Sequence, residues 1–298
     1  MNQSVEDKNF YGYPTRSLTP SLMSPRTLFG TVMTILTFIC GGLALLPLLA
    51  VLFYVGIQGF STLSIRVFTE LPPPPLVQGG GFGNAIIGTL IMVGIGALIS
   101  IPFGVLAAIY LTEFSKGSLT RWIRFATNVL SGIPSIIAGV FAYGIVVLTV
   151  GKFSAIAGGV ALSVLMLPVI VRTTDEALKL VPQDLRQAAV GLGATNYQTV
   201  AKVVLPAALP AIVTGATLAI ARAAGETAPL LFTALFAQFW PKNLLSPTPS
   251  LAVLVFNFAI SPFKNWQELA WAASLILVLL VLATSAIARW VTRQKVYG

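Results

Sequence analysis

Residues 221–230 read ARAAGETAPL and lie inside a long apolar stretch with helical patterning. Arg222 and Glu226 are four apart, so on a helix they share one face. In a membrane-crossing helix an arginine costs about 2.5–3.5 kcal/mol on insertion scales, so such a pair faces another helix or a watery path, not lipid. The guanidinium stays protonated and offers planar, paired donors that fit an oxyanion. Glu226 can hold Arg222 while the path is empty and then release it, or repel the anion onward. The plainer reading is mutual neutralisation that fixes packing. Against it, arginine before glutamate is the poorer order for such a pair, and a buried pair gains little net stability. Thr214, Gly215, Ala219, Gly225, Pro229 and Thr233 fall near the same face, which is small and polar apart from Leu218. Pro229 cannot donate to the Gly225 carbonyl, so the helix is expected to open beside Glu226.

A second charged group joins Arg172 to Asp175, three residues on, with Glu176 beside it. By residue type alone this is a helix-end ion pair with basic anchoring at the membrane surface.

Composition excludes much other chemistry. There is no histidine, so HExxH metal sites and imidazole bases are absent. The single cysteine, Cys40, allows no internal disulfide and is expected to pack as a small apolar residue. No run fits a P-loop or a G-x-S-x-G elbow, so no ATP site or serine-nucleophile site is expected in this chain. Only 9% of the 298 residues are charged and 56% are hydrophobic. A soluble domain carries about 25% charged residues, so this is an integral membrane protein. The net charge of +9 is spread over the ends of apolar segments, which points to membrane orientation and not to nucleic acid.

The elements that must position these charges are long apolar spans. They are expected at 28–57, 83–112, 123–150, 154–172, 203–237 and 267–291, each long enough to cross a bilayer. The reading is an all-α polytopic membrane protein with six transmembrane helices, flanked by cytoplasmic tails at 1–27 and 292–298. With both termini inside, the cytoplasmic segments hold the basic clusters Lys116/Arg121/Arg124 and Arg172/Lys179/Arg186/Lys202. The outer segments hold only Arg66, Lys152, Lys242 and Lys264. Pro134 is expected to kink the third span, with Ser131 and Ser135 re-satisfying freed backbone groups. The outer loop LPPPPLVQGGGFGN reads as a polyproline spacer followed by a flexible glycine joint. Trp240 and Trp266 are expected at the headgroup level.

The loop 173–202 is the most patterned part outside the spans. Pro182 and Asp184 suit a helix start, and Leu185, Ala188, Ala189 and Leu192 form an apolar stripe. Gly191 and Gly193 suit a stop, and Thr195 with Gln198 has capping-box spacing for a second helix. Two readings fit equally: a surface that docks another protein, or a helix lying on lipid headgroups.

The run RQAAVGLGATNYQTVAKVVLPAALP resembles the EAA motif of ABC-importer permeases, E-A-A-x3-G-x9-I-x-L-P. Gln187-Ala188-Ala189, Gly193, Val203, Leu205 and Pro206 keep every spacing, with Gln187 in place of glutamate and Val203 in place of isoleucine. Together with VRTTDEALKLVP, GIPSIIAG and ARAAGETAPLLFTA, the chain from about Gly83 onward is similar to the PstA-type permeases of phosphate-specific importers. That resemblance implies a MetI-like permease fold in the bacterial inner membrane. It implies a pathway for phosphate lined by Arg222, Glu226, Arg172 and Asp175. It implies docking of an ATPase on Gln187, Ala188, Ala189, Gly193, Leu205 and Pro206. The implied partners are a homologous PstC-like permease, two PstB-like ATPase subunits that hold the ATP and magnesium, and an external PstS-like phosphate-binding protein. No cofactor in this chain is implied. Two alternatives stand beside this one. The same scaffold could carry molybdate or sulfate, or Glu226 could serve as the proton relay of a secondary transporter.

Overall fold

The computed structural model describes residues 25–293 except Lys116, so most of both expected tails lies outside the described residues. The elements are α1 (Pro25–Thr62), α2 (Arg66–Thr69), α3 (Gly83–Ile109, continued by a π-helical turn Tyr110–Phe114), α4 (Ser118–Ser131), α5 (Ser135–Val150), α6 (Ala155–Lys179), α7 (Gln183–Gly191), α8 (Asn196–Ala224), α9 (Ala228–Leu231), α10 (Leu251–Ala259) and α11 (Lys264–Arg293). No strand occurs among the described residues. Helices α1, α3, α6, α8 and α11 are long and apolar enough to cross a membrane, and the bent pair α4 and α5, counted as one span, is a sixth.

The chain divides within α1 into one unit up to Tyr54 and another from Val55. In the first, the hydroxyls of Thr31, Thr34 and Thr37 donate to carbonyls one turn back. Polar groups are thus satisfied inside the helix, as an apolar solvent requires. Cys40, expected to pack, is exposed.

In the second unit α3 packs along α6, and α6 along α8. Lipid gives helices no hydrophobic reason to associate, so close backbone approach matters more. A Cβ on Gly159 would stand 2.6 Å from Ile95 Cβ, and one on Gly104 would stand 2.8 Å from Ile170 Cγ2. Four apolar clusters follow in the unit among the described residues: Phe82, Leu254 and Phe258; Met92, Leu162, Met166 and Ile170; Leu178, Val204 and Ile212; and Ala108, Leu111 and Val171. Ser154 and Ser250 cap α6 and α10 by accepting from Ala157 N and Val253 N.

Two expected spans differ in form. Residues 123–150 are not one kinked helix, because α4 and α5 are bent by 106°. Pro134 precedes α5 in an extended conformation, and its ring and missing N–H end the ladder of α4. Helix α4 is amphipathic. Leu119, Trp122, Phe125 and Val129 are exposed, while Arg124, Thr127, Asn128 and Ser131 line a cavity. The fifth span, expected over 203–237, stops as a helix at Ala224. Gly225 and Glu226 close it with tight turns to Arg222 O and Ala223 O. Pro229 then falls in the first turn of α9, where a missing N–H costs nothing.

The proline-rich outer loop is held and is not a free spacer. Asn265 Nδ2 donates to Val77 O at 2.8 Å, and Trp266 Nε1 donates to Pro73 O at 3.0 Å. Trp266 also stacks on Phe258 at 4.6 Å.

Candidate functional site

Arg222 occupies the last turn of α8, and Glu226 lies just past the break. Arg222 Nε and Glu226 Oε1 are 3.6 Å apart, too far for a direct hydrogen bond. The arginine side chain is 61% exposed and the glutamate only 16%. On α8 the exposed positions Ala211, Thr214, Leu218 and Arg222, with Gly225 just past its end, follow one face, left uncovered by the described residues. Gly215 and Ala219, grouped with Arg222 from sequence, are instead buried on the side toward α6. Pro229 and Thr233 are buried as well. At about 100° per residue Gly215 and Ala219 fall to one side of the stripe Thr214, Leu218 and Arg222 and so meet α6, while Pro229 and Thr233 lie beyond the stop at Ala224, where helical spacing no longer applies.

Gly215 fixes the level of α8 against α6, since a Cβ there would run into Thr173 Oγ1. Thr173 is next to Arg172, and Arg222 lies seven residues beyond Gly215. At 1.5 Å per residue the two arginines are therefore separated by roughly 10 Å along the helix axis.

Arg172 does not pair with Asp175, contrary to the expectation from spacing. Its Nε donates to Glu176 Oε1 at 3.1 Å, and both side chains are exposed. Asp175 is turned toward α4. Its Oδ2 accepts from Lys179 Nζ at 2.6 Å and from Arg124 Nη1. Its Oδ1 lies 2.7 Å from Thr112 Oγ1, whose proton is shared with Ala108 O at 2.8 Å. Residues four apart lie nearly above one another on a helix, whereas three apart diverge further. Two interleaved pairs result: Arg172 with Glu176, and Asp175 with Lys179. These groups line an open cavity of about 410 Å³ between α4 and α6. Arg124, Arg172 and Lys179 face Asp175 and Glu176 there, leaving one net positive charge, with Thr127, Asn128 and Ser131 as further polar partners. Such a lining suits a small hydrated anion.

The patterned loop folds as a helix, a glycine turn and a second helix. Gln187 and Ala188 are exposed on α7, and Ala189 is half-buried. Gly193 has φ +85°, a conformation that favours glycine. Thr195 and Gln198 form the expected reciprocal capping box at the start of α8. Leu192 is 90% exposed and Tyr197 is 73% exposed. Leu205 packs on the layer of Leu178, Val181 and Val204, so it roots the loop in the spans, whereas Pro206 is exposed.

Arg186, on the same short helix, turns inward. Its Nη1 donates to both carboxylate oxygens of Glu113, and its Nη2 donates to Leu178 O at 2.8 Å. In the sequence Arg186 and Arg124 are only basic residues of inner segments, and nothing near them points to Thr112 or Glu113. No local pattern marks these partners, which lie 73 and 51 residues apart for Arg186–Glu113 and Arg124–Asp175.

Comparison with known proteins places this geometry in a family. The family of binding-protein-dependent transport system inner membrane components matches residues 100–296. The phosphate transport system permease protein PstA of Yersinia pestis is 44% identical over 83% of this chain and 84% of its own length. The Pasteurella multocida protein of the same name is 41% identical over 91% and 96%. A probable PstA of Methanocaldococcus jannaschii is 32% identical over 88% and 94%. Among solved structures, an inward-facing MetNI methionine ABC transporter chain aligns with TM-score 0.55 at 24% identity, covering 71% of this chain and 93% of its own. A chain of a bacterial alginate ABC transporter aligns with TM-score 0.59 at 14% identity, covering 90% and 93%. At those identities the structures speak for the fold alone, that of ABC-importer permeases. The sequence relationship goes further: this chain belongs to the binding-protein-dependent transport system inner membrane components and, within them, to the PstA phosphate transport system permease proteins.

Proposed function

We propose that this chain is one permease subunit of an ATP-driven importer of inorganic phosphate, and that it supplies half of the wall of the pathway. The observation that carries the reading is the open, small-residue face of α8 with an exposed guanidinium on it. Exposed intramembrane arginine needs a partner surface, and a second, homologous PstC-like permease facing α8 would enclose a polar path. An oxyanion substrate follows from the guanidinium, whose paired donors match its oxygens, and kinship with the PstA permeases favours phosphate among oxyanions.

The weak hold of Glu226 on Arg222 suits transport. A lone arginine in a dry path would bind an oxyanion too tightly to let it go, and conduction needs binding weak enough to leave. At 3.6 Å the carboxylate neutralises the arginine without occupying its donors. Arriving phosphate exchanges like for like with the glutamate, and the returning glutamate helps to expel it. Roughly 10 Å further in, Arg172 with Glu176 repeats the same order of charges, and the cavity between α4 and α6 receives the anion near the inner ends of the spans. A fixed positive charge about 4 Å from the anion is worth about 4 kcal/mol at an effective dielectric of 20.

Energy enters from another chain. Exposed Gln187, Ala188, Leu192 and Tyr197 offer a docking surface for a PstB-like ATPase that holds ATP and magnesium. A PstS-like protein delivers phosphate from outside, and both termini of this chain lie in the cytoplasm. The test is energised phosphate uptake by cells carrying Arg222→Lys, with assembly checked by co-purification of the ATPase. Loss of uptake in an assembled complex is expected, because a point charge lacks the paired donors. Wild-type uptake by Arg222→Ala would refute a role for this residue in the path.

A further inference from the structure

The π-helical turn Tyr110–Phe114 holds two neighbouring residues that grip different elements. Glu113 holds Arg186 of α7, and Thr112 holds Asp175 of α6. The Arg186–Glu113 pair is well shielded, at 16% and 9% side-chain exposure. It is also the side-chain tie of α7 to the spans. Gln183, Asp184, Leu185, Gln187, Ala188 and Val190 are all exposed, whereas Arg186 ties the helix to both α3 and the end of α6.

From this arrangement we infer that Arg186, Glu113 and Thr112 form a strut that carries displacement of the ATPase-docking helix α7 to the Asp175 cluster at the inner cavity. The inference rests on the proposed function in taking α7 as the docking element. Separating a shielded ion pair leaves buried charges unpaired, so this joint resists opening. A push on α7 is therefore not absorbed at Arg186. It moves the turn 110–114, and with it the hydroxyl of Thr112, the carboxylate of Asp175 and the cations Arg124 and Lys179 that Asp175 holds. Those cations line the cavity where the anion leaves. Arg186, Glu113 and Thr112 are positioning residues and need not touch the anion. A pair that merely anchored α7 would affect assembly, and complexes of the Glu113 and Arg186 variants that did assemble would keep full stimulation by the loaded binding protein.

The experiment uses the full transporter in proteoliposomes, with this chain as wild type, Glu113→Gln, Arg186→Gln, the double variant Glu113→Gln/Arg186→Gln, and Thr112→Val. Co-purification of the ATPase, ATP hydrolysis with and without phosphate-loaded binding protein, and phosphate taken up per ATP are measured. The single variants are expected to hydrolyse ATP but to lose stimulation by the loaded binding protein about tenfold, the size of a typical coupling between sites. The double variant is expected to lose no more than the worse single one, because both residues act through one contact. Thr112→Val is expected to co-purify fully and yet to take up about fivefold less phosphate per ATP. Full stimulation in Glu113→Gln, a double loss equal to the product of the single losses, or wild-type uptake per ATP in Thr112→Val would each overturn the strut. If the Glu113 and Arg186 variants fail to assemble, Thr112→Val decides alone. A wild-type complex that hydrolyses ATP but leaves phosphate outside refutes the substrate assignment instead, and the hydrolysis ratios among the variants still read the strut.

Discussion

Replacing Asp175 by asparagine changes the inner cavity by one charge while keeping the size of the side chain. Three cations and two carboxylates line the cavity in the wild type. In the Asp175→Asn variant three cations face Glu176 alone, and the net charge of the lining rises from +1 to +2. Two effects follow. Arg124 and Lys179 lose their anchor, which at an effective dielectric of 20 and 4 Å would be worth about 4 kcal/mol each. Their side chains are 33% and 50% exposed, so solvent reduces each loss to about 1–2 kcal/mol. The freed positive charge also holds a leaving anion more tightly, by about 1.4 kcal/mol if it stands one solvated layer away, which is a factor of ten. The assay is phosphate uptake into proteoliposomes preloaded with increasing phosphate. The internal concentration that halves the rate is expected to fall about tenfold in Asp175→Asn, with a reduced maximal rate. An unchanged internal inhibition constant in an assembled variant would refute the reasoning, because the anion would then not feel the charge of this cavity.

Gly215→Ala forces a methyl group into Thr173 at the α6–α8 contact. Overpacking of this kind costs about 1–3 kcal/mol, so the melting temperature of the detergent-solubilised complex is expected to fall. Asn265→Ala removes the hydrogen bonds to Pro74 O and Val77 O that pin the outer loop. Each is worth about 1 kcal/mol, so amide exchange over residues 71–81 is expected to quicken, and unchanged protection would show that the loop is held elsewhere.

Local chemistry made much of this protein legible. Runs of apolar residues long enough to span a bilayer dictate helices, because backbone groups in lipid have no other partner. The stop at Gly193 and the box of Thr195 with Gln198 follow from conformational freedom and side-chain reach within a few residues. Helical spacing brings Arg222 toward Glu226 only up to the stop at Ala224, whose closing turns leave the two 3.6 Å apart, whereas inside α6 the same spacing of four pairs Arg172 with Glu176 and Asp175 with Lys179.

What only the tertiary structure decided lies wherever a charge is answered by a distant segment. Arg124 and Arg186 read in sequence as basic residues at the inner surface. Their partners, Asp175 and Glu113, are fixed by how α4 and α7 dock against α6 and α3. The 106° bend after Ser131 turns α4 from an expected crossing into an amphipathic wall of the cavity, and hydropathy averaged over 123–150 is blind to that direction. The exposed face of α8 is likewise a three-dimensional result. Gly215 lets α8 lie close on α6, that contact buries one side of the helix, and Arg222 is left on the other. Sequence determines which charges enter the membrane, because solvation there is costly. Packing decides which of them meet, because a pairwise interaction depends on separation in space and not along the chain.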